Sequence, residues 1–418
     1  MKKLISQYGG LKREIYILFV GSLVTAMGSF VWPMLTFFLT TKLGFGDGTS
    51  TLLIATATTL SLPAALLGGK LADRFSRKKI IIIFDILTVS FYFIAAIAPI
   101  GIHTAIIIFL AGLFQTLESP AYDALNADFS TTAQREKAFS LSYLGFNLGF
   151  IVGASLSGVL FENHIGLAFL LNGLSIFVST VLIWIFVNPK NAVGETEKED
   201  ENYGEYEMPV EENRSILSVL KDRRVVGLMI VVGCFASMPE ILTGILLPLQ
   251  LKESMGQSGA TLYGYLNSLN GCTVILFTPV LTMLLRRFTE IPKAAGGLVL
   301  YIVGMSLFSI GVDPWILFVG MFIYTVGEVV MVIGINPYRS RRIPASHRGR
   351  IGGVSSVIHS LFCSLLQYGI SFILTASQSN YRMLWYIFIA GSLVGVALYC
   401  VAYGMDRRRF PNLYGQKG

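Results

Sequence analysis

The chain has 418 residues, 53% of them hydrophobic and only 14% charged, with a mean hydropathy of +0.65 and a formal net charge of +7. Soluble chains are about 45–50% apolar and about 25% charged, so this one has too little polar surface to wrap water-soluble domains. The four cysteines, at 234, 272, 363 and 400, all sit in apolar runs, which excludes a disulfide scaffold and any paired zinc-ligand spacing. What remains is a polytopic membrane protein.

A bilayer core about 30 Å thick needs roughly 20 apolar residues per helix. Runs of that kind fall near 15–41, 50–70, 80–98, 103–125, 138–161 and 165–187, then 225–250, 260–285, 294–312, 315–338, 351–375 and 382–404. They are rich in Gly, Ser and Thr and show no polar–apolar alternation, so helices fit and barrel strands do not. The expected fold is all-α, with twelve transmembrane helices in two pseudo-symmetric six-helix bundles around a central cavity. The first run is too long for a cleaved signal and carries no small-residue processing site, so it is expected to be a retained helix.

Residues 188–224 separate the predicted bundles, 1–187 and 225–418. This connection holds nine acids between Glu195 and Glu212 and almost no apolar residues, a composition that cannot bury a core and reads as a cytoplasmic acidic linker. Its last stretch, Ser215 to Arg224, is amphipathic enough to lie along a membrane surface. Of the 32 Lys and Arg residues, 29 lie in the termini and the alternate connections, leaving Lys42, Lys252 and Arg382 on the other side. Basic residues mark the cytoplasmic face, so both termini are expected inside, in a plasma (inner) membrane. The charge is a topology signal; with no aromatic-interleaved basic patch, nucleic acid is not an expected partner.

The two halves repeat weakly. Pro120 and Pro337 stand near the inner ends of runs four and ten, each followed by a polar loop and a basic cluster. Runs one and seven both end with a proline and then a glycine exit, at Pro33…Gly44 and Pro248…Gly256.

Between runs two and three lies Gly69-Lys70-Leu71-Ala72-Asp73-Arg74-Phe75-Ser76-Arg77-Lys78-Lys79. It resembles the signature loop of the major facilitator superfamily, G-x-L-A-D-R-x-G-R-K-x, with Ser76 in place of the second glycine. The resemblance implies secondary transport by alternating access. It also implies that this loop meets the one after run four, so Asp73, Arg74, Arg77, Asp128 and Arg135 are expected to form a conformational gate of charges.

Apart from Lys70 and Arg382 at run ends, no Lys or Arg lies within the runs, yet Asp85, Glu118, Asp123, Glu240 and Glu328 do. A charged acid at mid-bilayer costs at least about 2.5–3.5 kcal/mol, so each must face water or carry a proton. Glu328 and Glu240 are deepest, with Glu118 next; all three lie on runs that line the central cavity in the superfamily fold. They are the expected proton-coupling or substrate-binding residues, while Asp85 and Asp123 read as structural. Trp32, Tyr143, Tyr263 and Tyr324 are expected to line the cavity and suit lipophilic cations. His359 reads as a packed, neutral histidine.

Gly145, Gly149, Gly153 and Gly158 in run five permit close helix approach. Run five is similar to the glycine-rich signature of drug/proton antiporters, with Phe150 for its proline and Ala154 for a glycine. Tyr324-Thr325-Val326-Gly327-Glu328 and the Asp128…Arg135 loop resemble the twelve-helix multidrug/proton antiporters of Gram-positive bacteria, some of which carry an acid where Ser142 stands here. The leading expectation is therefore proton-coupled efflux of amphipathic or cationic small molecules. Proton symport of a neutral solute such as a sugar or nucleoside, and a non-transporting membrane receptor or scaffold, are the alternatives. No H-E-x-x-H, G-x-S-x-G or phosphate-binding loop is present, so an enzyme is not expected. The expected partners are small-molecule substrate, protons and membrane lipids; no cofactor is expected, the energy coming from a proton gradient.

Overall fold

The computed structural model of the chain describes residues 9–193, 215–343, 345–377, 379–411 and 414. The acidic run Glu195–Glu212 lies outside the described residues. Every element among those residues is helical, and no strand occurs among them.

The first predicted run is where the chain departs from expectation. It forms a helix, α1 (Arg13–Met27), that stops at Gly28. The chain then turns through Phe30–Met34 and resumes as one helical turn, Leu35–Phe37, followed by a wider i→i+5 turn, Phe38–Lys42. Two features cause the break. Pro33 has no N–H to donate, and α6 (Ile165–Phe186) packs so closely that a β-carbon on Gly28 would lie 1.8 Å from Ser175 Oγ.

The following runs form α2 (Asp47–Arg74), α3 (Arg77–Ile97), α4 (Ile102–Asp128), α5 (Thr132–Asn163) and α6. A short α7 (Ile216–Asp222) is capped by Ser215, whose hydroxyl accepts from the Ser218 N–H at 3.2 Å. Run seven is two helices, α8 (Arg224–Ala236) and α9 (Met238–Met255), broken at Ser237. After it come α10 (Ser258–Leu284), α11 (Glu290–Ile310), α12 (Pro314–Arg342), α13 (Ala345–Ala376) and α14 (Tyr381–Arg409). Asp313 caps α12, accepting from the N–H groups of Trp315 and Ile316, with Pro314 at the first helical position. The glycine exits Gly44 and Gly256 both adopt positive φ, +70° and +61°, the left-handed conformation that glycine takes at no steric cost.

Eleven helical stretches among the described residues are long and apolar enough to cross a membrane, with α8 and α9 counted as one. The interrupted first run is the one that falls short of the expected twelve. Their outer faces carry large apolar side chains in the open, among them Ile97 (87% exposed), Trp315 (81%) and Phe372 (74%). Helices apolar on every side require a lipid solvent.

By contacts the chain forms two compact units. The first holds residues 1–46, 56–202 and 255–271; the second holds 47–55, 203–254 and 272–418. Each therefore follows one sequence half, except that the first residues of α2 and of α10 belong with the opposite half. In the first unit α1 packs on α5 and α6, and α3 packs on α4 and α6. Its core includes Ile15, Leu18, Ile81, Ala121, Leu125, Phe129 and Ile183. In the second, α11 packs on α12 and α14, and α8 on α13 and α14.

Candidate functional site

In the second unit, α8, α9, α12 and α13 surround a cavity of about 600 Å³. Its wall is largely apolar, with Val226, Met229, Ile230, Met331, Val332 and Ile335. The polar groups are Ser237, Glu240, Asn336, Tyr338, Arg339, Ser355, Ser356, His359 and Ser360. This composition, apolar walls with a few placed polar groups, is that of a small-molecule site. The α8–α9 break positions Glu240. Ser237 turns its hydroxyl back onto the Cys234 carbonyl at 2.8 Å, and Pro239 supplies no N–H, so Glu240 stands in the first turn of α9. A carboxylate there is favoured by the unpaired N–H groups at a helix start.

Glu328 lies on α12, one of the cavity helices, partly buried but not among the residues that line the cavity. Tyr301 of α11 feels the charges of both Glu328 and Glu240. Glu328 is held there by helix approach. A β-carbon on Gly327 would lie 2.7 Å from the Gly297 carbonyl, and one on Gly297 only 2.6 Å from the Gly327 carbonyl. Gly320, Gly327 and Gly334 face α11 at seven-residue spacing, opposite Phe308, Gly297 and Glu290.

The cavity is not purely acidic. Residues 339–342 read as loop because they are charged, yet α12 continues through them, and the extra turn carries Arg339 into the cavity wall. His359 lines it too and feels the Arg339 charge. None of the aromatic residues expected to line the central cavity is among those around this one. Tyr324 is 4% exposed and packs on Tyr301, ring centroids 4.4 Å apart. Tyr263, 6% exposed, packs on Phe37 in the first unit. Trp32 lies against Gly112 and donates from Nε1 to Gln115 Oε1 at 3.3 Å. Tyr143 is 55% exposed on α5.

In the first unit Glu118, partly buried on α4, lies in the field of Asp85 and Asp123. Asp85 is buried and accepts a hydrogen bond from the Thr180 hydroxyl at 2.7 Å. Of the gate residues, Arg77 and Asp128 form an ion pair, and Arg77 Nη1 also donates to the Ala124 carbonyl at 3.3 Å. Asp73 and Arg74 are exposed at the end of α2 and join no ion pair among the described residues. Arg135 is partly buried, with its Nε lacking a hydrogen-bond partner.

Sequence reasoning missed a second charge cluster. Arg342, fully buried at the end of α12, grips Asp406 through Nε (3.2 Å to each oxygen) and Nη2 (2.8 Å), and reaches Glu290 at 3.3 Å. Arg341 binds the other Glu290 oxygen at 2.6 Å, and the Tyr414 hydroxyl donates to Asp406 at 2.6 Å. Burial alone disfavours the Arg342 charge, but the hydrogen bonds and charges of Asp406 and Glu290 outweigh it and hold the guanidinium above its ordinary range. This cluster repeats the Arg77–Asp128 pair with the signs reversed. In both, the first residue of one helix (α3 or α11) pairs with the last residue of the next (α4 or α12). The signal was present in sequence, as Glu290 and Asp406 stand at run ends among basic residues.

A helical fold with eleven stretches able to cross a membrane and a largely apolar cavity with a carboxylate in its wall fits a membrane transporter. The model of the Major Facilitator Superfamily matches residues 17–367, and the chain belongs to that family. It is 26% identical over 352 residues to a Na(+), Li(+), K(+)/H(+) antiporter of Planococcus maritimus, covering 79% of this chain and 82% of the relative. It is 24% identical over 295 residues to the multidrug resistance protein MdtH of Aeromonas hydrophila, 70% of each chain. Among solved structures, the peptide transporter POT in complex with sulfate superposes with a TM-score of 0.73 at 16% identity, covering 96% of this chain and 95% of that one. A variant of the nucleoside transporter NupG gives 0.71 at 13% identity, covering 94% and 100%.

Proposed function

We propose that this transporter exports amphipathic or cationic small molecules in exchange for protons, working by alternating access. The observation that carries the reading is the cavity of about 600 Å³ in which Glu240 stands among apolar walls. A carboxylate in that setting attracts a cation when charged and releases it when protonated, which is the exchange an antiporter needs. Glu240 and Glu328 are assigned to coupling and substrate, with Glu118 contributing from the first unit. Asp73, Arg74, Arg77, Asp128 and Arg135 are assigned to the gate. The Planococcus relative is named for antiport of monovalent metal cations with protons, and the same carboxylates serve that second reading.

The test uses proteoliposomes with an internal pH dye and an imposed pH gradient. Lipophilic cations are expected to trigger proton movement that Glu240→Gln reduces at least tenfold, with the variant folded. A response to Na⁺, Li⁺ or K⁺ alone would move the substrate to the metal ions. Silence to every cation would overturn the antiport reading in favour of symport of a neutral solute.

A further inference from the structure

The first unit holds a second titratable centre that the cavity does not use. Asp85, Thr88 and Tyr92 follow one another at three- and four-residue spacing on α3, and all three are buried, Thr88 and Tyr92 completely. This face packs on α6. Thr180 meets Asp85 at one level, and at another a β-carbon on Gly173 would touch Phe93 and the Tyr92 Cβ. Thr88 lies between those two contacts along α3, fully buried. Its hydroxyl has no hydrogen-bond partner, and neither has the side-chain oxygen of Asn172, 2% exposed on α6 beside Gly173. Buried polar atoms without a protein partner are where proteins hold water. The first unit thus holds a buried carboxyl group on α3 together with buried, unpartnered polar oxygens on α3 and α6.

The charges around Asp85 leave it without a basic partner. α6 contains no titratable residue between Ile165 and Phe186. α4, which packs on α3, carries Glu118, Tyr122 and Asp123, and the charges of Asp85 and Asp123 act on Glu118. On α3 itself Arg77 is engaged by Asp128, and Lys78 donates to the Trp184 and Val187 carbonyls at 2.7 Å each. Like charges in a shared, poorly solvated setting disfavour each other's ionisation.

We propose that Asp85, paired with Glu118, is a proton-binding site in the first unit, reached by water held along the α3–α6 seam on Thr88 and Asn172. The proton adds to a carboxylate oxygen of Asp85 and leaves by the same oxygens, with no other bond changed. This site is separate from Glu240 and Glu328, so the first unit binds a proton of its own, apart from the cavity that takes the substrate. The inference rests on proton coupling as proposed above, but its test needs no substrate.

The experiment is infrared difference spectroscopy of the reconstituted full chain between acid and alkaline pH. A protonated-carboxyl band is expected that disappears in Asp85→Asn, persists in Glu240→Gln, and returns with an altered midpoint in Asp85→Glu. Thr180→Val removes a hydroxyl that donates to the carboxylate, so it moves the midpoint to higher pH. In transport, Asp85→Asn is expected to cut proton-driven flux at least tenfold while substrate counterflow, which needs no net proton movement, changes less than twofold. A band unchanged in both Asp85→Asn and Thr180→Val overturns the proposal. If Asp85→Asn does not fold, Thr180→Val and Asp85→Glu decide it through the midpoint. Loss of cation-triggered proton movement with the Asp85 band intact would count against the antiport reading and leave this site standing.

Discussion

Arg342 and Glu240 show how one residue's surroundings decide what its charge does. Arg342 has no exposure and is bracketed by Asp406 and Glu290, with the Tyr338 and Phe410 rings 5.3 and 5.6 Å from its guanidinium carbon. Removing one partner of such a buried set leaves an uncompensated charge, at a cost of roughly 3–5 kcal/mol. Arg342→Gln is therefore expected to lower the melting temperature in detergent strongly. Arg77→Gln, whose pair is 31% and 23% exposed, is expected to cost only about 1 kcal/mol. Helix dipoles act in the same direction. Glu290 at a helix start and Arg342 at a helix end complement the dipoles, whereas Arg77 at a start and Asp128 at an end oppose them. Equal shifts in the two variants would refute this ordering. Glu240 is the opposite case, a carboxylate in a cavity wall with no ion pair among the described residues.

At the level of helices, small residues set how near two backbones come. α5 presents Gly145, Gly149 and Gly153 to α1, where added β-carbons would lie 2.9, 2.2 and 2.7 Å from the carbonyl oxygens of Phe19, Leu23 and Ala26. Further along, Gly158 abuts Ala260 of α10, and Ser155 and Ser268 share a hydrogen bond at 2.8 Å. The glycine-rich pattern of run five is thus a packing pattern on two successive partners. Gly149→Ala is expected to destabilise by about 1–3 kcal/mol, because it strikes backbone that cannot give way. Gly404→Ala, in open space on α14, is expected to be neutral or to stabilise by up to about 1 kcal/mol. Thermal melts of the two variants side by side check this, and similar values would show that α1 and α5 are not in close contact.

Across the whole molecule, the same exchange occurs in both halves: the second long helix of each begins with the other half's unit. Asp47, the first residue of α2, accepts from Lys252 at 3.1 Å, Ser379 at 2.7 Å and Tyr381 at 2.5 Å, and the Gly48 carbonyl accepts from Ser371 at 2.7 Å. On α10, Thr261 donates to Glu162 at 2.5 Å. A double-mutant cycle of Asp47→Asn and Lys252→Met is expected to give a coupling of about 1 kcal/mol, the ordinary worth of a partly exposed pair. Strictly additive losses would mean the two residues do not interact.

Sequence alone determined the class, the helical content, the extent of most helices and the family. Each rests on a property carried along the chain: run length against bilayer thickness, charge between runs, and the Gly69–Lys79 motif. The two helix breaks were written in Gly28, Pro33 and Pro239, but a hydropathy run does not register a break that keeps its composition. The site was less legible. Glu240 was visible because an acid in an apolar run is conspicuous. The placing of Arg339 and His359 in its cavity was not, since it depends on α12 continuing past its last apolar residue. Tertiary structure also decided that Tyr263 and Tyr324 are buried against other rings, and that Asp85 has Thr180 rather than a base beside it. Periodicity gives the face a residue occupies on its own helix. Only packing decides which neighbour, cavity or charge that face meets.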